Sequence, residues 1–180
     1  MRILIVFQSD YGHTKSMAES IAAGAKAVAP ESEIVLQIAE QTSNEDLEHA
    51  DVLFFGTPVH MGSMAWSMKK LVDQGAKLWM ENRLEGKVGG VFVTGGGFGD
   101  AGGGVETTMI GLHANFLEHG MMVVGFPKSL PGYADGGLQW GAYARCATHE
   151  GMPKELSATQ QVGARSYGAH VVEVAQKLFA

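Results

Sequence analysis

The sequence predicts an α/β fold: a doubly wound, five-stranded parallel sheet of order 2-1-3-4-5, covered by helices in three layers. Two observations lead to it. Short apolar runs rich in β-branched residues alternate with segments of helical period. The runs are continuously apolar, as in strands buried on both faces of a parallel sheet. Because no linker, low-complexity tract or internal repeat divides the chain, we expect one domain over residues 1–180.

The elements follow in order along the chain. Strands are predicted at residues 3–7, 34–38, 52–56, 88–94 and 121–125, and helices at 13–28, 43–49, 63–79, 104–119 and 157–178. The last helix has a start signal, since Ser157 and Gln160 form a capping-box pattern after Pro153. The irregular stretch 126–141 is expected to cross the top or rim of the sheet.

Composition and charge argue against several classes of protein. The 180 residues are 46% hydrophobic and 18% charged, which suits a globular domain with a full core. A net charge of −6 argues against nucleic-acid binding. Cys146 is the only cysteine, so no internal disulfide can form. The chain has no apolar stretch of bilayer length and enters a strand without a signal-peptide pattern, so we expect a cytoplasmic protein.

The first post-strand loop is the most informative segment. In sheets of this kind ligands bind beyond the carboxyl ends of the strands. Hydroxyls and backbone amides at a helix start favour an anion. The loop contains no Lys or Arg, which suits the monophosphate of flavin mononucleotide (FMN) better than a triphosphate. The alternative is an ordinary strand-to-helix turn capped by Thr14. The candidate cofactor-binding residues of this first loop are Ser9, Asp10, Tyr11, Gly12, His13 and Thr14.

The second loop follows the third strand. Pro58 stiffens the chain there, and Gly62 permits a tight approach, so we expect backbone groups to meet the edge of the flavin ring. The alternative is a proline turn that merely ends a strand. The candidates are Thr57, Pro58, Val59, His60, Met61 and Gly62.

The third loop is rich in glycine, which allows positive φ and close approach to a flat ligand. Residues 97–102 also match G-x-G-x-x-G, but a dinucleotide fingerprint belongs at the first strand-to-helix turn, so an NAD-type Rossmann site is disfavoured. Phe98 could flank the ring or anchor the loop. The candidates are Thr94, Gly95, Gly96, Gly97, Phe98 and Gly99.

Further candidate residues lie outside these three loops. His119 ends the fourth helix, where it could complement the helix dipole or donate to a flavin carbonyl or bound acceptor. Trp79 could edge a pocket, whereas Trp66 fits core or interface. Cys146 and His149 do not make a metal site, so none is predicted. No string typical of zinc proteases or serine hydrolases occurs.

Several stretches together resemble flavodoxin-like proteins, and within them the WrbA-type NAD(P)H:quinone oxidoreductases, over nearly the whole chain. They are Ser9-Asp10-Tyr11-Gly12-His13-Thr14, Phe55-Gly56-Thr57-Pro58 with Gly62, Asp73-Gln74 with Leu78-Trp79, Gly102-Gly103-Gly104 and His119-Gly120-Met121.

The resemblance implies that FMN binds non-covalently across the three loops. NADH or NADPH and a quinone would take turns at the exposed flavin face, which is a ping-pong mechanism. It implies catalytic roles for Tyr11 near the nicotinamide, for Trp79 in the acceptor pocket across a subunit contact, and for His119 beside the flavin. It also implies a homodimer or homotetramer.

The chain departs from this family in three places, one of which is the third loop, which is longer through Phe98-Gly99-Asp100. Residues 38–51 are short where WrbA-type proteins usually carry an insertion that contributes to tetramer contacts. His60-Met61 stands where the family often has arginine and an aromatic residue.

Two other functions compete. A flavodoxin-type electron carrier would share the cofactor, but carriers tend to be strongly acidic and to flank the flavin with aromatics. A phospho-acceptor receiver domain shares the strand order, but it needs an aspartate where this chain has Thr57-Pro58.

Overall fold

The computed structural model describes residues 1–96 and 103–180. Its strands are β1 Arg2–Phe7, β2 Glu33–Ile38, β3 Val52–His60, β4 Ser63–Met64, β5 Val88–Gly95, β6 Met122–Val123, β7 Gly137–Leu138 and β8 Gly141–Arg145. Its helices are α1 His13–Val28, α2 Asn44–His49, α3 Trp66–Gln74, α4 Ala76–Met80, α5 Val105–Glu118, α6 Tyr133–Gly136 and α7 Ala158–Leu178, with a 3₁₀ turn at Ala39–Gln41.

The main sheet is parallel and runs β2-β1-β3-β5-β8, which confirms the predicted order 2-1-3-4-5. Short β7 pairs antiparallel with β8 at the edge. The helices cover both faces, with α1 and α7 over one face and α3 and α5 over the other. Successive residues of β1 enter opposite cores, as the alternation of a strand buried on both faces requires.

The fifth strand position differs from the prediction at residues 121–125. Only β6 forms there, beside Val88 and Gly89 at the start of β5, and β8 continues the same position beside the end of β5. Between them the chain leaves the sheet. At Gly125 it passes so close to the Gln139 carbonyl that a Cβ would lie 2.6 Å from that oxygen, and Pro127 has no N–H for a ladder.

The third strand is longer than predicted. It continues through Pro58, which pairs with Thr94 of β5, to His60. Met61 and Gly62, with φ of 48° and 82°, then turn the chain into β4, and these two positive φ values are those of a tight two-residue hairpin. The helix predicted at 63–79 therefore starts later, and it is divided into α3 and α4 at Gly75.

The other predicted helices lie where the sequence places them, within a residue or so, whereas α6 and β7 form inside the stretch 126–141 that was predicted as irregular. The capping box of α7 is present: Ser157 Oγ accepts from the Gln160 N–H at 3.1 Å, and Gln160 Oε1 accepts from the Ser157 N–H at 2.9 Å. Because the main strands are parallel, the carboxyl ends of β1, β3, β5 and β8 lie together at one end of the sheet. We call this end the carboxyl edge, and the segments that follow these strands form the site.

Candidate functional site

A pocket of about 300 Å³ lies at the carboxyl edge, within the size range of small-molecule sites. Many of the predicted residues line it: Ser9, Asp10, Tyr11, His13, Thr14, Pro58, Val59, His60, Thr94, Gly95 and Gly96. Four further lining residues were not predicted: Cys146, Ala147, Gly151 and Pro153. Gly12, Thr57, Met61 and Gly62 belong to the same loops without lining the pocket, and Gly97, Phe98 and Gly99 lie outside the described residues.

The first loop forms an anion cradle at the start of α1. Gly12 holds the N-cap position with a left-handed φ of 87°, and α1 has no side-chain cap, so Thr14 does not cap it. Ser9 Oγ accepts from the Lys15 N–H at 3.3 Å, which leaves the Ser9 hydroxyl proton available to donate. Amides of the first turn are thus left for an external acceptor, and the helix dipole favours a negative charge there.

Thr14 instead joins the first loop to the third. Its buried Oγ1 lies 2.7 Å from Thr94 Oγ1, at the end of β5. One hydroxyl proton fills this bond, so the other remains for a ligand. The pair therefore fixes the spacing of two loops and keeps one neutral donor at the pocket wall.

The second loop is held from behind by Thr57. Its fully buried Oγ1 accepts from the Ala65 N–H and donates to the Pro58 carbonyl, both at 2.9 Å. Thr57 therefore shapes the hairpin from inside the protein, whereas Met61 at the hairpin tip is fully exposed.

The hairpin tip rests on the start of α5. A Cβ on Gly104, whose φ is 85°, would lie only 2.5 Å from Gly62 Cα. Thr107 Oγ1 adds a hydrogen bond to the Gly62 carbonyl at 3.2 Å. This contact of two glycine backbones explains one glycine of the Gly102-Gly103-Gly104 stretch, and it fixes the height of the hairpin over the pocket.

A chain of polar contacts crosses the pocket rim. His60 Nε2 lies 2.7 Å from Asp10 Oδ2, which joins the hairpin to the first loop. Gln8 Nε2 donates to Asp10 Oδ1 at 3.0 Å, and Ser67 Oγ of α3 donates to Gln8 Oε1 at 3.0 Å. Asp10 and His60 are thus both at the site, and each is ordered by the other.

A fourth segment, after β8, closes the pocket. The Cys146 N–H donates to the Gly95 carbonyl at 2.9 Å, and Ala147 bridges to Pro153 across a tight turn. Burial raises the pKa of the Cys146 thiol to about 12, so it stays protonated and serves as an apolar wall. Sequence reasoning missed this segment because it placed the fifth strand at 121–125. The rule that ligands sit after strand ends would have found it once β8 was recognised.

Trp79 and His119 lie at the other end of the sheet. The strand after His119, β6, pairs with the first residues of β5, and the Gly86 N–H donates to the Gly120 carbonyl. His119 is buried against Gly75, between α3 and α4, and burial lowers its pKa. Trp79 is half-exposed on α4. Within one chain the structure does not bring either residue to the pocket.

Four loops at the carboxyl edge of a 2-1-3-4-5 sheet, the first of them an anion cradle without a lysine or arginine, define the class of flavodoxin-type mononucleotide-binding proteins. The flavodoxin family model matches residues 5–149, and the chain belongs to this family.

Two curated proteins and one solved structure are similar to this chain over nearly its whole length. The chain is 36% identical to an NAD(P)H dehydrogenase (quinone) of Paracoccus denitrificans, over 99% of this chain and 95% of that protein. It is 34% identical to one of Syntrophobacter fumaroxidans, over 99% and 98%. A WrbA-like flavodoxin structure from Agrobacterium tumefaciens matches with a TM-score of 0.71 and 29% identity, over 98% of both chains. The predicted resemblance is therefore confirmed.

Family membership implies FMN, and the pocket fits it. The cradle offers amides and hydroxyls without a lysine or arginine among its described lining residues, as a monophosphate requires. Backbone on both sides and the apolar wall of Ala147 and Pro153 suit a flat ring. Among the described residues no His, Cys, Asp or Glu group could hold a metal, and none of their helices is long and apolar enough to cross a membrane.

Proposed function

We propose that this chain is an FMN-dependent oxidoreductase that passes two electrons from NADH or NADPH to a quinone by a ping-pong mechanism in the cytoplasm. The observation that carries the proposal is the carboxyl-edge pocket with its anion cradle, in which neutral hydroxyls and backbone amides, and no lysine or arginine, are the donors. The curated relatives of nearly equal length, which are named NAD(P)H dehydrogenase (quinone), support the choice of donor and acceptor.

The chain's own residues would hold the cofactor at both ends. Ser9, the first-turn amides of α1 and the Thr14–Thr94 pair would bind the phosphate. Backbone of β3 near Val59 and of Gly95-Gly96 would flank the ring. When bound, FMN supplies the two-electron chemistry, and the protein orients it and limits access to it.

Access for the two substrates would come from the open rim. Tyr11 is 81% exposed beside the cradle, where it could stack on a nicotinamide that approaches from solvent. Tyr11 would therefore lie next to the electron donor.

Trp79 and His119 could reach an acceptor only on a second copy of the chain. Both lie at the amino edge, so a dimer or tetramer would have to place that edge over the pocket of its partner. Light scattering of the FMN-bound protein tests this step. A monomer that turns over at full rate would remove both residues from the mechanism.

The decisive test is a steady-state assay of FMN-reconstituted protein with NADH or NADPH and benzoquinone. Saturable turnover that needs both FMN and quinone, with parallel double-reciprocal plots, is the expected result. Ser9→Ala should weaken FMN binding, whereas Ser43→Ala, at the cap of α2, should leave it unchanged. No turnover with FMN fully bound would overturn the proposal and favour an electron carrier.

A further inference from the structure

The contact between Asp10 and His60 is the one contact between ionisable side chains that joins two loops of the pocket among the described residues. The side chains are 36% and 43% exposed, so solvent reaches both. Asp10 is held a second time by Gln8, which is itself held by Ser67. The carboxylate is therefore fixed from the body of the protein, and it in turn positions the imidazole on the hairpin.

This contact selects one form of the imidazole. A carboxylate only accepts hydrogen bonds, so the His60 nitrogen facing it, Nε2, carries a proton. Nδ1 is then the ring atom left open to an external group, and it has no hydrogen-bond partner among the described residues. A histidine held by a carboxylate at one nitrogen and open at the other is the arrangement that general acid–base catalysis uses.

Quinone reduction needs such a group. A quinone becomes a hydroquinone by taking up two electrons and two protons. As a hydride donor, bound FMN would supply two electrons and one proton, so the second proton would have to come from the protein or from water.

We propose, on the basis of the proposed function, that His60 is this proton donor and that Asp10 is its positioning residue. Starting from the imidazolium form of His60, the N–H bond at Nδ1 breaks and its proton forms an O–H bond on the second quinone oxygen. The neutral ring, still protonated at Nε2, then regains a proton at Nδ1 from solvent. The ionisable side chains that line the described pocket are Asp10, Tyr11, His13, His60 and Cys146. Only His60 is in contact with a carboxylate that orders it.

Two acceptors separate proton delivery from electron delivery. Benzoquinone needs both, whereas ferricyanide takes electrons alone. His60→Gln should lower benzoquinone turnover per bound FMN about 100-fold, the scale of general acid catalysis, and ferricyanide turnover less than threefold. Asp10→Asn should lower benzoquinone turnover about tenfold. Added imidazole should restore part of the benzoquinone rate in His60→Ala.

The matched control is His49→Gln. His49 is exposed in the last turn of α2 and lies outside the pocket. Its replacement should change neither acceptor rate.

A readout without cofactor tests the same contact. In FMN-free protein labelled with ¹⁵N-histidine, neutral His60 should show a protonated Nε2 and a bare Nδ1. Asp10→Asn should convert this signal to a mixture of tautomers, and His49 should not respond.

The outcomes are distinct. Three results would overturn the proton-donor role of His60. In His60→Gln these are an equal loss of turnover with both acceptors and no loss with either. The third is a selective loss of benzoquinone turnover in His13→Gln instead. Two results with FMN-bound wild-type protein would overturn the proposed function, and this inference with it. One is reduction of ferricyanide without reduction of benzoquinone, and the other is reduction of neither acceptor.

Discussion

Among single residues, Gly104 carries the most constraint on the site. Its φ of 85° is costly for any residue with a Cβ, and a Cβ there would meet Gly62 Cα at 2.5 Å. Gly62 belongs to the hairpin that also presents His60, so strain at residue 104 would be transmitted to the pocket rim. Gly86 has a similar φ of 77°, but a Cβ on it meets nothing within 4 Å.

Gly104→Ala and Gly86→Ala therefore separate backbone strain from close contact. Both should lower the free energy of unfolding by about 1 kcal/mol or more through the positive φ. Only Gly104→Ala should displace the hairpin and weaken FMN binding, by about tenfold, as measured by flavin fluorescence titration. Equal FMN affinities in the two variants would show that the Gly62–Gly104 contact does not set the pocket.

Among the elements, α1 and α7 pack most closely, backbone against backbone. A Cβ on Gly168 would lie 2.4 Å from the Ile21 carbonyl, and one on Gly24 would lie 1.9 Å from the Arg165 carbonyl. Gly24 and Gly168 each face the partner helix and let the two helix axes approach each other. Apolar side chains such as Ile21 and Val172 pack in the core beside them.

Gly168→Ala should destabilise the protein by about 2–4 kcal/mol, because a backbone carbonyl is unable to yield as a side chain does. Gly111→Ala on α5 is the control of opposite sign. Its Cβ would meet only Met64 Cε at 3.6 Å, an ordinary contact, so the better helix propensity of alanine should add up to about 1 kcal/mol. Urea unfolding of both variants measures this. Similar stabilities would contradict the helix–helix contact.

The helices show how far local pattern predicts structure. The helical period and the Ser157–Gln160 box predict α7 because both act within a few residues. The fifth strand was mislocated because Met121–Gly125 has strand-like composition, and only pairing decides which part of it joins β5. The break at Gly75 and the strand pairing of Pro58 likewise depend on neighbours distant in sequence.

For the molecule as a whole, the sequence predicts three of the four segments that form the pocket. Those three lie at the carboxyl ends of β1, β3 and β5, whose starts are predicted to within a residue, although β3 continues to His60. The segment around Cys146 and Ala147 was not predicted, because it follows β8 and the sequence did not predict β8. Trp79 and His119 could not be placed from local pattern, since their distance from the pocket depends on the direction in which α4 and α5 run. Their roles remain predictions about an assembly.

Stability of the whole molecule should fall below neutral pH. Burial lowers the pKa values of His113, His119 and His170, although a hydrogen bond to the Trp140 carbonyl opposes this at His113. The unfolded chain then binds protons near its ordinary histidine pKa while the folded chain does not. Stability is therefore present above about pH 6.5 and is lost as the pH falls below it. His113→Gln keeps a donor for Trp140 without titrating, and in urea unfolding between pH 7 and 5 it should show a shallower loss. An unchanged slope would contradict this assignment.

Cys146 offers a probe of the whole fold, because it is the only cysteine, it is buried and it lines the pocket. Its pKa of about 12 leaves little thiolate in the folded state. At pH 8 the native thiol should react with a disulfide reagent about 1,000-fold more slowly than the unfolded chain, which should react once per molecule in urea. Labelling then requires the pocket segment to open, and bound FMN opposes that opening. FMN at 100 times its Kd should slow labelling about 100-fold further. Fast labelling that FMN does not slow would place the thiol outside the cofactor pocket and separate the fourth segment from the site.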